Sequence, residues 1–269
     1  MITTYLQGGL GNQMFQIAVA YNHAKKNSDT AVFDINNSHT PHQGQNISKY
    51  KNNIFSGFNH MDNVYDMCSN TFSQPGHSYC EIPYKVNQQL QGFYQSEKFF
   101  INSKTELVEL FRNGLIYGDK TRNSWIEINN ELSDLRKELN KPIVSIHIRR
   151  GDYLKFLGIH DPCPISYYNK AMELMRNKIG DFHAYFISDD IEWCKDVFEG
   201  QGNFSKNLDE LEDMILMISS DHNIIANSSF SWWGAYLNSN NFVVGPKKWF
   251  GPMGPQDQQD IIPNNWLKI

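Results

Sequence analysis

A histidine, two arginines, a glycine and an aspartate close an apolar run in Val144-Ser145-Ile146-His147-Ile148-Arg149-Arg150-Gly151-Asp152-Tyr153. β-Branched residues in such a run predict a buried strand, so the charged cluster falls at that strand's C-terminal end. In an open α/β sheet, ligands bind at that end. A planar guanidinium grips two oxygens at once, so paired arginines there point to an anion, phosphate above all. The plainer alternative is a surface Arg–Asp pair that closes a turn.

Two further strands end in polar clusters. Phe186-Ile187-Ser188-Asp189-Asp190 sets Ser188, Asp189 and Asp190 where a strand hands over to a helix; a helix cap with a first-turn acid is equally compatible. Ala226-Asn227-Ser228-Ser229-Phe230-Ser231-Trp232-Trp233-Gly234 leads small polar residues into a helix start. Free N–H groups there make either an anion site or a plain cap, and the two tryptophans read as core or platform. At the N-terminus, Gly8-Gly9-Leu10-Gly11-Asn12-Gln13 lies between strand and helix. Gly9 and Gly11 fit a G-x-G-x-x-G loop, but Met14 holds the third glycine position. The lysine and hydroxyl residue of an ATPase loop are absent, as is a G-x-S-x-G elbow. No H-x-x-x-H pair or D-x-D triplet occurs, so no metal site is expected, and arginine must neutralise any diphosphate.

The elements that position these clusters follow from periodicity. Residues 3–6 read as a strand, 7–12 as a turn, 13–26 as a helix and 31–34 as a second strand. The pattern weakens over 35–88, where short helices and loops are expected. Residues 103–111 and 125–139 read as helices. Beyond them, strands over 142–148, 183–187, 222–226 and 241–244 alternate with helices over 166–179, 191–198, 208–219 and 232–237. Such alternation implies an α/β chain of two facing Rossmann-like domains with a central cleft, 1–140 and 141–269. The tail over 251–269 is expected to pack back across the first domain.

Bulk composition fits a soluble globular chain: 269 residues, 40% hydrophobic, 13% aromatic, formal net charge -5. That charge, with no basic run beyond two residues, argues against a nucleic-acid partner. Residues 1–6 lack the charged start and long apolar core of a signal peptide, so no secretory leader is expected, and no stretch approaches the ~20 apolar residues of a transmembrane segment. Four scattered cysteines read as reduced thiols, giving a cytoplasmic expectation in which the sequon Asn46-Ile47-Ser48 is irrelevant.

Four blocks together resemble the α-1,2-fucosyltransferases of glycosyltransferase family 11. They are Gly8 to Gln16, His147 to Tyr153, Phe186 to Asp190 with Trp193-Cys194, and Asn227 to Ala235. They span nearly the whole chain in order. The resemblance implies a GT-B-like fold, inverting and metal-independent transfer from GDP-fucose, and no cofactor beyond that co-substrate. The acceptor it implies is a galactose-containing glycan. It places Arg149 at the β-phosphate, has His147 and Asp213 read guanine, and has Ser229 and Ser231 hold the diphosphate. Asn12 reaches the donor from the first domain, beside Gly9 and Gly11, while Ser188, Asp189, Asn227, Ser228 and Phe230 complete the donor set. For Asp213, an ordinary solvent-facing acid on an amphipathic helix is an open alternative. Asp152 and Asp190 are candidate bases beside Arg149, and a late proton loss needs only a weak one. Arg150 is expected to brace its loop through Asp152. Two alternatives stand: a related GDP-sugar transferase of another linkage or donor, and a non-catalytic glycan- or nucleotide-binding module. A third, an Arg150-Gly151-Asp152 adhesion tripeptide, does not fit a strand end.

Overall fold

The structure, a computed structural model, describes residues 1–36, 47–206, 209–239 and 241–269. Expectations for 37–46 and for the helix start at Leu208 lie outside the described residues, as does Asn46 of the sequon. The chain divides into two compact units: Met1–Lys120 with Asp257–Pro263, and Thr121–Gln256 with Asn264–Ile269.

In the first unit β1 (Ile2–Thr4) leads into α1 (Leu10–Lys26), followed by β2 (Asn70–Ser73), β3 (Gln88–Gln91) and α2 (Lys104–Tyr117). The strands form a parallel sheet in the order β1-β3-β2. α1 starts three residues ahead of its expected position. Gly9 is its extended N-cap, and the Asn12 and Gln13 amides donate back to the Gly9 carbonyl at 3.0 and 3.2 Å. The strand expected over 31–34 is instead two isolated bridges, Ala31 to Ile2 and Phe33 to His60. Successive residues find different partners there, so no continuous ladder forms.

The second unit opens with α3 (Thr121–Leu139), then β4 (Ile143–Ile148), α4 (Ile165–Ile179), β5 (His183–Ser188) and α5 (Ile191–Val197). It continues through β6 (Gly202–Phe204), α6 (Glu210–Ser219), β7 (His222–Ile224), α7 (Ser229–Tyr236), β8 (Val243–Gly245) and β9 (Leu267–Lys268). All six strands run parallel in the order β6-β5-β4-β7-β8-β9. Residues 257–263 cluster with the first unit, whereas β9 joins the second sheet. α3 belongs with the second unit, ahead of the junction expected at 140. Ser124 donates to Glu212 on α6 at 2.7 Å, and Arg136 pairs with Asp221 at 2.8 Å.

β4 is buried at all six positions, and alternation sorts its side chains between two faces. Val144, Ile146 and Ile148 join a core of Tyr168, Met172 and Met175 from α4 with Cys194 and Phe198. Ser145 and His147 take the opposite face. There Asn223, fully buried on β7, donates to the Ser145 hydroxyl at 2.6 Å and to the Met217 carbonyl of α6 at 2.9 Å. Its own oxygen accepts from Asn238 and Asn241 at 3.0 and 2.5 Å. Trp232 and Trp233 are fully buried, with Trp232 stacked on Tyr236 at 4.4 Å. They are core, as one sequence reading held. No helix among the described residues is long and apolar enough to cross a membrane.

Asn223→Ala takes a partner from four polar groups, of which the Ser145 hydroxyl and the Met217 carbonyl are buried, so it should destabilise the chain by about 2–4 kcal/mol. Urea unfolding measures this directly, and a loss near the ~0.5 kcal/mol of an ordinary surface substitution would show that the network is dispensable.

Candidate active site

After β4 the second sheet grows on one side through β5 and β6, and the chain then returns to β4's other side for β7. The connections leaving β4 and β7 diverge, and ligands bind at such a divergence outside the carboxyl ends of the strands. Residues 149–153 and 226–231 flank it. The Tyr153 hydroxyl joins these segments by donating to the Asn227 carbonyl at 2.8 Å, and the His147 ring at the end of β4 lies 5.5 Å from that of Phe230.

The two arginines have separate surroundings. Arg149 pairs through Nη2 with Asp152 at 2.7 Å and through Nη1 with Asp189 at 3.0 Å. Arg150 pairs through Nε with Asp190 at 2.9 Å and lies 4.4 Å over the Trp193 ring. Its backbone N–H donates to Asp189 at 2.9 Å. Asp189 packs so closely on this turn that a Cβ on Gly151 would stand 2.6 Å from its Oδ2. Arg150 does brace the loop, but through Asp190 and Trp193. The expected Arg150–Asp152 pair is not formed, because Asp152 turns to Arg149. Asp190 is the N-cap of α5 without a side-chain capping bond, and Ser188 accepts its N–H at 3.0 Å. The two candidate bases, Asp152 and Asp190, thus each lie against a guanidinium.

His147 is 4% exposed, and its Nδ1 has no hydrogen-bond partner among the described residues. Burial first, then the Arg149 charge, lowers its pKa to about 3, so the ring is neutral. Asp213, in the first turn of α6, is half-buried. Ser205 is hydrogen-bonded to its carboxyl, while Oδ1 has no partner among the described residues. Desolvation, reinforced by Asp209, Glu212 and Glu210, pushes this carboxyl up to about 8. It is therefore not the solvent-facing acid of the alternative reading. A neutral ring nitrogen and a partnerless carboxyl oxygen suit a ligand edge that carries hydrogen-bonding groups.

In the serine-rich block α7 starts at Ser229, three residues ahead of expectation, with Ser228 as its extended N-cap and no side-chain capping bond. Ser229 and Phe230 are partly exposed in the first turn, where helix N–H groups have no intrahelical acceptor. Ser231 is fully buried and donates back to the Ala226 and Ser228 carbonyls at 3.3 and 3.1 Å. Its hydroxyl braces the turn. Asn227 is a clasp: its amide donates to the Asp161 and Trp249 carbonyls, both at 2.9 Å, and its oxygen accepts from Cys163 at 3.4 Å. Gly9, Gly11 and Asn12 lie in the first unit, at the start of α1. Among the described residues no three His, Cys, Asp or Glu side chains group to hold a metal.

Tyr153, Trp193 and Ser205 hold this site together and were not singled out from the sequence. Tyr153 and Trp193 stand inside the quoted blocks, but nothing in their types announces a cross-loop bond or a platform for Arg150. Ser205 precedes α6 without any motif.

The family model described as glycosyl transferase family 11 matches residues 1–269. The chain belongs to glycosyl transferase family 11. An alpha-1,2-colitosyltransferase of Escherichia coli is 30% identical over 100% of this chain and 99% of its own length. The human galactoside alpha-(1,2)-fucosyltransferase 1 is 28% identical over 38% of this chain and 31% of its own. Among solved structures, a NodZ alpha-1,6-fucosyltransferase soaked with GDP-fucose is 13% identical with a TM-score of 0.48, over 88% of this family 11 chain and 92% of that one.

Asp213 gives the family 11 chain a pH signature. Its folded pKa of about 8 lies above the ordinary 3.8, so the folded form holds a proton that the unfolded chain has released. Stability should therefore fall as pH rises across that window, by the proton-linkage relation. Asp213→Asn removes the linkage. Melting temperatures at about pH 5 and about pH 8 should show the variant gaining on the wild type at the higher pH. Parallel curves would contradict the burial of this carboxyl.

Proposed function

We propose that this family 11 glycosyltransferase transfers fucose from GDP-fucose to a galactoside hydroxyl in an α-1,2 linkage, with inversion and without a metal. The observation that carries the reading is Arg149 at the C-terminal end of β4, where the Tyr153–Asn227 bond ties the β4 connection to the one that leads into α7. Family membership supports glycosyl transfer. The name of the human relative supports the sugar, the linkage and the acceptor class, and that of the bacterial relative supports an α-1,2 linkage.

The chemistry follows from where charge develops. Cleavage of the fucosyl–phosphate bond leaves negative charge on GDP and positive charge on the ring. Arg149 and the α7 amides stabilise the leaving diphosphate as that charge builds. Asp213 and neutral His147 take the donor and acceptor groups of guanine. Inversion has the acceptor hydroxyl attack the opposite face of the ring, and an oxocarbenium-like transition state leaves proton loss late. Ser231 and Asn227 act by fixing the loop rather than by touching phosphate. The expected place of action is the cytoplasm.

The colitosyltransferase likeness favours one second reading. Colitose is fucose without its 3-hydroxyl, so the same grip on GDP serves either donor. Release of GDP from GDP-fucose, GDP-colitose, GDP-mannose and UDP-galactose, with lactose as acceptor and EDTA present, separates the donors. Turnover with GDP-fucose supports the first reading; turnover with GDP-colitose alone replaces it with the second. No turnover with any donor, together with sugar affinity retained in Arg149→Ala, would mean a non-catalytic binding module. Arg149→Lys should lower kcat by about 10²–10³, the usual loss for one transition-state donor. Arg150→Lys, which keeps charge but loses the Asp190 bond and the Trp193 stack, should fall by only about tenfold or less. Equal losses would contradict the division of labour.

A further inference from the structure

In the first unit, the corner between the C-terminal ends of β1 and β3 is knitted by side-chain amides. The Gln7 N–H donates to Gln16 at 3.0 Å, and Gln16 in turn donates to the Gly92 carbonyl at 3.2 Å. Gln13 donates to the Gly8 carbonyl at 2.7 Å, and Gln95 to the Asn12 oxygen at 2.7 Å. These bonds use the nitrogens of Gln13 and Gln95. Their oxygens, on side chains 1% and 7% exposed, have no hydrogen-bond partner among the described residues. A buried amide oxygen without a donor is destabilising, so two in one corner call for a ligand that donates hydrogen bonds.

Backbone features point the same way. Tyr94, just before Gln95, is fully buried at φ +50°, a strained conformation for a bulky residue. Gln74 holds it there, accepting from the Phe93 and Tyr94 N–H groups at 3.2 and 2.9 Å. That strain turns Gln95 toward the first turn of α1. Gly9, the exposed N-cap, has an ordinary φ of −71° and no atom within 4 Å of where its Cβ would stand. Neither backbone nor packing requires glycine there, whereas close approach of a ligand to the α1 N–H groups would.

We infer that Asn12, Gln13 and Gln95, with the amides opening α1, form a neutral subsite for a sugar ring. Hydroxyl groups donate to the two amide oxygens and accept from the helix N–H groups. Phosphate at neutral pH has little donor capacity and does not satisfy those oxygens. Gln95 is thereby a sugar-binding residue. The inference rests on the glycosyltransferase reading for the source of the ring, which is either the galactoside acceptor or the fucosyl group of the donor.

The full chain tests this with three titrations on wild type, Gln95→Met and Gln95→Glu: GDP, GDP-fucose and lactose. Gln95→Met keeps shape but removes the acceptor together with the bond to Asn12, and Gln95→Glu keeps acceptor oxygens and meets Asn12 through a turned Asn12 amide, which then donates. GDP affinity is expected to be unchanged in both. Gln95→Met should weaken lactose, or abolish the advantage of GDP-fucose over GDP, by about tenfold or more, as when a buried polar partner is left unpaired. Whichever of the two changes identifies the ring's source. Gln95→Glu should stay within about threefold of wild type. If Gln95→Met changes neither by more than about twofold while melting like wild type, the subsite is overturned. Should Gln95→Met not fold, Gly9→Val serves instead, covering the α1 amides from outside with the same expected losses. Absence of GDP binding in the wild type would sink the GDP-sugar donor reading alone: lactose weakened by Gln95→Met would still uphold the subsite, and lactose bound no better by the wild type than by Gln95→Met would overturn it.

Discussion

A strand buried along its whole length delivers two positive charges to its end, and those charges must be balanced where the chain leaves the sheet. β4 meets this constraint with three carboxylates, two of them donated by the end of the neighbouring β5. Asp189 is the hinge of the arrangement, because it holds both the Arg149 guanidinium and the Arg150 backbone. The pairing keeps Arg149 in place without a ligand. On the proposed reading, a diphosphate replaces the contact that is easiest to give up. Asp152 is 52% exposed against 25% for Asp189, and exposed ion pairs are worth only about 0–1 kcal/mol. Arg149 therefore stays anchored by Asp189 while its other face changes partner.

The remaining features of the second unit serve that strand end. Alternation along β4 sends Ile148 into the α4–α5 core and His147 toward α7, so one strand both anchors the sheet and lines the site. Tyr153 and Asn227 lock the β4 and β7 connections together. The helix start at Ser229 and the Asp213 carboxyl are held by the same sheet, and burial leaves Asp213 with a proton to share.

Where burial and type agree, the fold was legible in sequence. β4, β5, α4 and the alternation behind them stand out because a central parallel strand is apolar on both faces. The central strand of the first sheet was not legible. β3 reads Gln-Gln-Leu-Gln, and Gln88 is buried with its amide satisfied: its oxygen accepts from the Lys85 N–H and pairs with His23, and its nitrogen donates to the Pro83 carbonyl. Hydropathy does not foresee a strand whose polar groups are satisfied by side-chain and loop partners. β6 and β9 are too short for a period to register, and both helix starts fell early because the capping residues, Gly9 and Ser228, lack capping side-chain bonds. In the candidate site, the polar and charged residues at the strand ends were visible, Arg149 and His147 among them. Pairing was not: three acids lie within reach of two arginines, and residue types alone do not decide that Asp152 and Asp189 go to Arg149 and Asp190 to Arg150.

The central claim is that Arg149 reads the second phosphate of a guanine nucleotide. Calorimetric titration of GMP and GDP into wild type and Arg149→Gln, in EDTA, tests it directly. Wild type should bind GDP more tightly than GMP by about 10²-fold, the worth of a charge-assisted bidentate contact, and Arg149→Gln should reduce GDP to the GMP level while leaving GMP nearly unchanged. Equal weakening of both nucleotides, or a GDP preference that survives the substitution, would contradict it.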